Sequence, residues 1–428
     1  MIPPHVCNVY INKHIGRRNR RILETYEVYT MSNKSKEALA LELIEKARAL
    51  VPIIKERAQE AEDNGHIHDE TMAAISKAGL LRVLQSKDYG GYELSPEVFY
   101  EIQSIIGEGD MSAAWLYGVL GVHPWQLALF DKKAQDEIYG VNGSKADTIV
   151  ASTYMPTGMG TPVEGGVKLS GSWGFSSGSK HSEWVILGGI IPKPKDAPPG
   201  PPDMRNFVVH KDDFTIVENW DVLGLKATGS HDIVVKDVFV PNHRIFGVGI
   251  PAGSYPGNAI NDAPLFRINF GQIFPRAVAY SAVGALQQVV DAAKEFASAV
   301  SPNTGAARGD LPEVQTAYSK AVNEIEVQKL IMKATVAEWM EYAEAGKDLP
   351  LERRSYRRYQ QAQVVDKCLD AAVELYKQLG GNAVRRGVIT KAICDLETGR
   401  CHVANMSFKQ GQNYGSVANG RPQVEYFL

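Results

Sequence analysis

Cysteine is scarce in this chain, and no two cysteines are spaced Cys-x-x-Cys. The four, Cys7, Cys368, Cys394 and Cys401, are too few and too scattered for a disulfide framework and fit a reducing, cytoplasmic setting. No apolar run is long enough to cross a bilayer, so a membrane partner is not expected. Charge of one sign is also lacking. With 46 basic and 49 acidic residues the formal net charge is -3, and nothing invites nucleic acid. No Gly-x-Gly-x-x-Gly follows a strand, and no Gly-x-x-x-x-Gly-Lys is present, which removes the common phosphate-cradling loops. There is no His-Glu-x-x-His, and the ten histidines show no ligand spacing, so no metal is expected.

What is present reads as a globular chain of 428 residues, too long for one ordinary core. The first 30 residues differ from the rest. Arg17, Arg18, Arg20 and Arg21 make a short basic run, and residues 1–35 are expected to be a disordered extension. Residues 35–63 carry apolar positions at helical spacing, with Pro52 as a possible kink. Asp69, Ser95 and Asp110 stand as helix starts, Ser95 with Pro96 in the first turn. Pro124 is expected to break the helix that Asp110 opens. Residues 36–146 therefore predict an N-terminal helical domain.

The spacing changes near Thr148. "TIVAST", "VKLSG", "WVILGGII", "NFVVH", "FTIVENW" and "IVVKDVFV" are short, β-branched and separated by Gly, Pro and Asn. They predict a central β domain over 147–246, with a Pro-rich surface loop at 191–203. Helical spacing returns near 274–300, 312–346, 354–379 and 388–405, which predicts a C-terminal helical bundle within 247–428. The fold class is thus α+β, in the order helices, strands, helices.

One stretch invites a ligand. "SGSWGFSSGSKHSEW", 170–184, is rich in serine, glycine and aromatic rings, with no acidic residue before Glu183. Leu169, Gly171, Trp173 and Phe175 are placed to alternate on one face of a strand. Ser176 and Ser177 offer hydroxyls, and the glycines permit close approach of a flat ligand. A twisted hairpin with solvated serines would carry the same residues. His123, beside Pro124, suits either a cleft, where it would exchange protons, or the core. His402 suits a surface or an interface, and His181 a structural role.

Taken together and in order, these segments resemble the acyl-CoA dehydrogenase fold, with a small β-barrel between an N-terminal helical domain and a C-terminal four-helix bundle. "GLKATGSHDIVVKDVFVPNHR", 224–244, is similar to the segment that closes that superfamily's β-domain. Within it, "GVHPWQLALFD", "GSWGFSSGSKHSEW" and "TGRCHVANM" resemble the flavin-dependent monooxygenases that serve as oxygenase components of two-component aromatic hydroxylases, such as those acting on p-hydroxyphenylacetate or a phenolic secosteroid. The dehydrogenase branch fits less well. Its base, a Glu before the last helix, is missing from Cys401-His402-Val403-Ala404-Asn405. Its Arg-x-x-Phe-Gly pyrophosphate anchor is missing from "ARGDLPEVQ".

The resemblance implies a chain that takes reduced FMN, or FAD, from a separate NAD(P)H-flavin reductase. With O2 this forms a C4a-hydroperoxyflavin that hydroxylates a small aromatic, phenolic substrate. It implies Ser177 beside flavin N5, and Ser176 with the ring of Trp173 or Phe175 seating the isoalloxazine. His123 would bond the substrate hydroxyl, Ser152 would add a polar contact in the same pocket, and His402 would aid proton delivery. A homotetramer is implied as well. Where relatives often have Arg-Asp ahead of the late histidine, this chain has Cys394-Asp395. The alternatives are an indole or dibenzothiophene type oxygenase, a dehydrogenase-like oxidoreductase, or a flavin-binding protein.

Overall fold

The computed structural model describes residues 17–193, 200, 202–298, 300, 305 and 307–425, with the side chains of 17–34 and 382 not described. Residues 1–16 of the expected extension, the side chains of its arginine run, and residues 194–199 and 201 of the Pro-rich loop lie outside that description.

Helix α1 (Arg17–Asn64) runs straight through Pro52. Helix α2 (Asp69–Lys77) begins at Asp69, so Asp69 is its first residue and not its cap; His68 holds the cap position without a side-chain bond. Helix α3 (Pro96–Gly109) starts as expected, the Ser95 hydroxyl accepting from Glu97 N. Helix α4 (Met111–Leu127) is capped by Asp110, which accepts from Ala113 N. All of its residues are buried, so this helix, apolar on every side, is the spine of the N-terminal half. The break expected at Pro124 does not occur. Pro124 lies close to the C-terminal end of α4, where losing one N–H leaves the last turn intact. Helix α5 (Lys132–Tyr139) completes the set.

The strands follow: β1 (Val150–Val163), β2 (Gly166–Ser176), β3 (Trp184–Ile191), β4 (Asp203–His210), β5 (Thr215–Val217), β6 (His231–Pro241) and β7 (Ile245–Gly247). Where a small barrel is implied, they form one seven-stranded sheet of order β5-β6-β2-β1-β3-β4-β7. Among the described residues only β1 and β3 pair in parallel, from Val150 opposite Trp184. The β2–β6 register shifts between Trp173 and Ser176. That bulge re-aims the end of β2.

Four long helices then appear where the spacing predicts them: α7 (Ser281–Ala297), α8 (Pro312–Glu344), α9 (Leu351–Gln378) and α10 (Val388–Arg400). Two shorter helices were not separated by the spacing, α6 (Phe270–Ala277) ahead of them and α11 (Ser407–Ala418) after them. Helix α7 packs on α3, α4, α9 and α10, which joins the C-terminal helices to the spine. Among the described residues, no helix is long and apolar enough to cross a membrane. None of them form a group of three or more His, Cys, Asp or Glu placed to hold a metal ion.

Candidate active site

One stripe of α4 organises the site. Leu116, Leu120 and His123 are spaced to share a helix face. The turn after β2 rests on the first two. Gly178 has φ +72, and a Cβ there would stand 3.0 Å from the Leu120 side chain and 3.2 Å from that of Leu116. Gly178 N donates to Thr228 O at 3.1 Å, tying the turn to the segment before β6. Further along the stripe, His123 meets β1.

His123 is wholly buried. Its Nδ1 lies 2.5 Å from the Val150 carbonyl, which can only accept, so the ring proton sits on Nδ1. Its Nε2, 2.8 Å from Ser152 Oγ, is therefore the acceptor of the serine proton. Burial pushes the His123 pKa down to about 4, with the Val150 bond working the other way. The ring is neutral at ordinary pH, and the direction of this chain is fixed.

Aromatic rings close around it. Phe274 lies near-parallel to the imidazole at 6.5 Å between centroids, and Tyr154 meets it edge-on at 6.2 Å. Phe270 and Phe274, one helical turn apart on α6, stack on each other at 5.0 Å. The Tyr154 hydroxyl donates to Gln126 Oε1 at 2.5 Å. Ser152 is the half-buried end of this chain and His123 its buried end. A ligand therefore reaches Ser152 first, and His123 through it.

The serine-rich turn divides its residues between two sides. Trp173 is wholly buried; its Nε1 donates to the Gly188 carbonyl at 2.6 Å, and its ring fills the slot left where Gly158 has no side chain. Ser176 is also wholly buried, with its Oγ unpartnered. Both expected flavin-seating residues thus lie inside the packed side of the turn. Phe175 does not share the face of Leu169 and Trp173. The bulge gives it φ 65 and turns it outward, 71% exposed, edge-on to Trp220 at 5.9 Å. Ser177 is half-buried, its Oγ 2.7 Å from Ser230 Oγ. The outward wall is therefore Phe175, Trp220 and Ser177.

His402 stands beside the other end of α4, its ring edge-on to Trp115 at 5.6 Å. Eight residues separate Trp115 from His123, about 12 Å of helix. His402 Nδ1 accepts from Ala404 N at 3.1 Å, so the proton is on Nε2. Burial, and then the nearby Arg358 charge, bring its pKa down to about 4. It is a hydrogen-bond donor, not an acid, at neutral pH. Arg358 and Asn405 pin this turn: Arg358 Nη1 donates to Ala404 O at 2.7 Å, and Asn405 Nδ2 to Gly399 O at 2.9 Å and Val278 O at 3.0 Å. His181 Nδ1 lies 3.2 Å from Asp69 Oδ1.

The pair that departs from relatives, Cys394-Asp395, finds an answer one helical turn away. Lys391 Nζ lies 2.7 Å from Asp395 and 2.5 Å from Asp110, with both carboxylates buried and the lysine side chain 12% exposed. Asp395 Oδ1 also accepts from Leu225 N at 2.6 Å. A lysine on the same helix thus supplies the expected cation and clamps the loop behind the serine turn.

Sequence reasoning missed Thr228, Ser230, Trp220, Tyr154, Phe270 and Phe274. The phenylalanines carried an i, i+4 signal on α6 and Tyr154 lies at i+2 from Ser152 on β1; Thr228, Ser230 and Trp220 meet the site only through long-range pairing.

Residues 277–406 match the family model described as acyl-CoA dehydrogenase, C-terminal domain. The oxygenase subunit HsaA of a flavin-dependent monooxygenase from Rhodococcus jostii (strain RHA1) is 32% identical over 378 residues, which cover 87% of this chain and 97% of that protein. The oxygenase component of p-hydroxyphenylacetate 3-hydroxylase from Acinetobacter baumannii is 27% identical, over 83% of each chain. The crystal structure of 3-HSA hydroxylase from Rhodococcus sp. RHA1 superposes with a TM-score of 0.83 at 31% identity, covering 90% of this chain and 99% of that one. The chain belongs to the flavin-dependent monooxygenases, as an oxygenase component built on the acyl-CoA dehydrogenase fold.

Proposed function

We propose that this chain binds reduced FMN delivered by a separate NAD(P)H-flavin reductase and hydroxylates a small phenol, with Ser152 and His123 receiving the substrate hydroxyl. The observation that carries this reading is the fixed hydrogen-bond chain from Ser152 to His123 to the Val150 carbonyl, enclosed by Tyr154, Phe270 and Phe274. Reduced flavin, when bound, supplies the two electrons that let O2 give one atom to the ring and the other to water.

The chain's own residues do the rest. The aromatic box takes a flat ring and keeps water from it. A phenol O–H donates to Ser152 Oγ, whose own proton already points to His123 Nε2. As the substrate ring receives oxygen, its hydroxyl becomes acidic. Its proton then passes to Ser152 while the Ser152 proton passes to Nε2. A base weakened by burial suits that moment, because it does not hold a proton beforehand. Phe175 and Trp220 would hold the flavin ring and Ser177 would meet its N5 edge, while His402 Nε2–H offers a donor at the far end of α4. FMN is favoured over FAD because the loop 307–315, ARGDLPEVQ, lacks an Arg-x-x-Phe-Gly anchor for a pyrophosphate. Exposed Val403, Met406 and Phe408 suit burial between subunits of a homotetramer, and the three cysteines among the described residues, all free, suit the cytoplasm.

The test is product analysis with reduced FMN regenerated by an added reductase. Phenols should gain one ring hydroxyl with an oxygen atom from O2. Oxygenation of indole or dibenzothiophene, with phenols untouched, would overturn the substrate assignment.

A further inference from the structure

Three hydroxyls stand in line behind the serine turn. Thr228 Oγ1 is 2.8 Å from the Leu225 carbonyl and 2.7 Å from Ser230 Oγ, which is 2.7 Å from Ser177 Oγ. Each hydroxyl owns one proton, and the carbonyl owns none. Three contacts and three protons leave a single arrangement in which every contact is a hydrogen bond. Thr228 donates to the Leu225 carbonyl, Ser230 donates to Thr228, and Ser177 donates to Ser230. Thr228 and Ser230 are buried, where an unmade bond costs most. The carbonyl end is held in place: Trp220 Nε1 donates to it at 3.0 Å, and Leu225 N is bound to Asp395.

The Ser177 proton is therefore spent inward, and its remaining lone pair is what the outer side meets. We infer that Thr228 and Ser230 are positioning residues that make Ser177 an acceptor toward the flavin, and so select the reduced cofactor over the oxidised one. The inference rests on the proposed contact between Ser177 and N5. Reduced flavin carries a proton on N5 and donates to an acceptor. Oxidised flavin has a bare N5, which would face another lone pair. An oxygenase fed by a separate reductase needs this preference, and the relay supplies it without a charged group.

The experiment measures dissociation constants of the full chain for oxidised FMN in air and for reduced FMN under anaerobic conditions. In Thr228→Val, Ser230 loses its acceptor and turns its proton to Ser177, which frees the Ser177 proton for N5. The preference for reduced FMN should fall about tenfold, the scale of one neutral hydrogen bond gained and one lost. Thr228→Ser should restore it. Ser230→Ala, which removes the Ser177 acceptor directly, should lower it as Thr228→Val does. Equal loss of affinity for both forms would mean a merely structural role and would overturn the inference. Ser177→Ala separates the two layers. If it shifts the preference while Thr228→Val and Ser230→Ala do not, the relay is wrong and the N5 contact stands. If none of the three shifts it, both fall.

Discussion

His123→Ala is expected to lower hydroxylation by about 100-fold or more while changing flavin affinity little, the range for removing a positioned proton acceptor. The imidazole is the acceptor of the Ser152 proton, whereas Phe175, Trp220 and Ser177 stand at the end of β2 and beyond it. Its loss removes the end of the proton path and leaves the flavin wall in place. His123→Gln, which keeps an amide in the space between Tyr154 and Phe274, serves as the milder variant. Flavin titration beside turnover checks the split, and equal losses of both would refute it. Burial adds a pH signature. The folded pKa of about 4 lies below the ordinary 6.5, so between these values the unfolded chain takes up a proton that the folded chain refuses. The stability that neutral His123 contributes is complete above pH 6.5 and is lost as pH falls toward 4. His402, with the same depression, acts in the same direction. Urea midpoints should drop from pH 7.5 to pH 5, and drop less in His123→Gln.

Lys391→Met is expected to destabilise the fold by about 3–5 kcal/mol, the scale for breaking a buried ion pair by removing one partner. Two carboxylates would then face each other without a cation. Burial alone already raises the Asp395 carboxyl, and Lys391 opposes that rise. Burial also works against the Lys391 charge, but Asp110 and Asp395 outweigh it and hold the ammonium above the ordinary lysine range. The effect should be smaller at pH 5 than at pH 8, because the stranded carboxylates can take up protons. Adding Asp395→Asn should return part of the stability. Urea unfolding of the single and double variants checks this; an unchanged midpoint in Lys391→Met would contradict the clamp.

The order of elements was largely legible because it rests on local spacing. The change of period near Thr148 precedes β1 at Val150, and Ser95 and Asp110 cap α3 and α4 as their side chains suggest. The side from which β2 faces a ligand was not legible. Simple alternation put Trp173 and Phe175 together, whereas the bulge between Trp173 and Ser176 buries one and exposes the other. A bulge depends on the register with β6, which lies far along the chain. The same holds for the hydroxyl relay. Ser177 and Ser230 are 53 positions apart, and Leu225 and Asp395 are 170 apart. For His123 the sequence leaves cleft and core open; Pro124 does not break the helix, and the imidazole lies inside the core against Ser152.

Stopped-flow absorbance tests the central claim most directly. The protein with anaerobic reduced FMN is mixed with oxygenated buffer, with and without a phenol. The account predicts a transient near-ultraviolet band that precedes oxidised flavin, and hydroxylated product when the phenol is present. Direct oxidation of the flavin without that transient, with FMN and FAD alike, would contradict it.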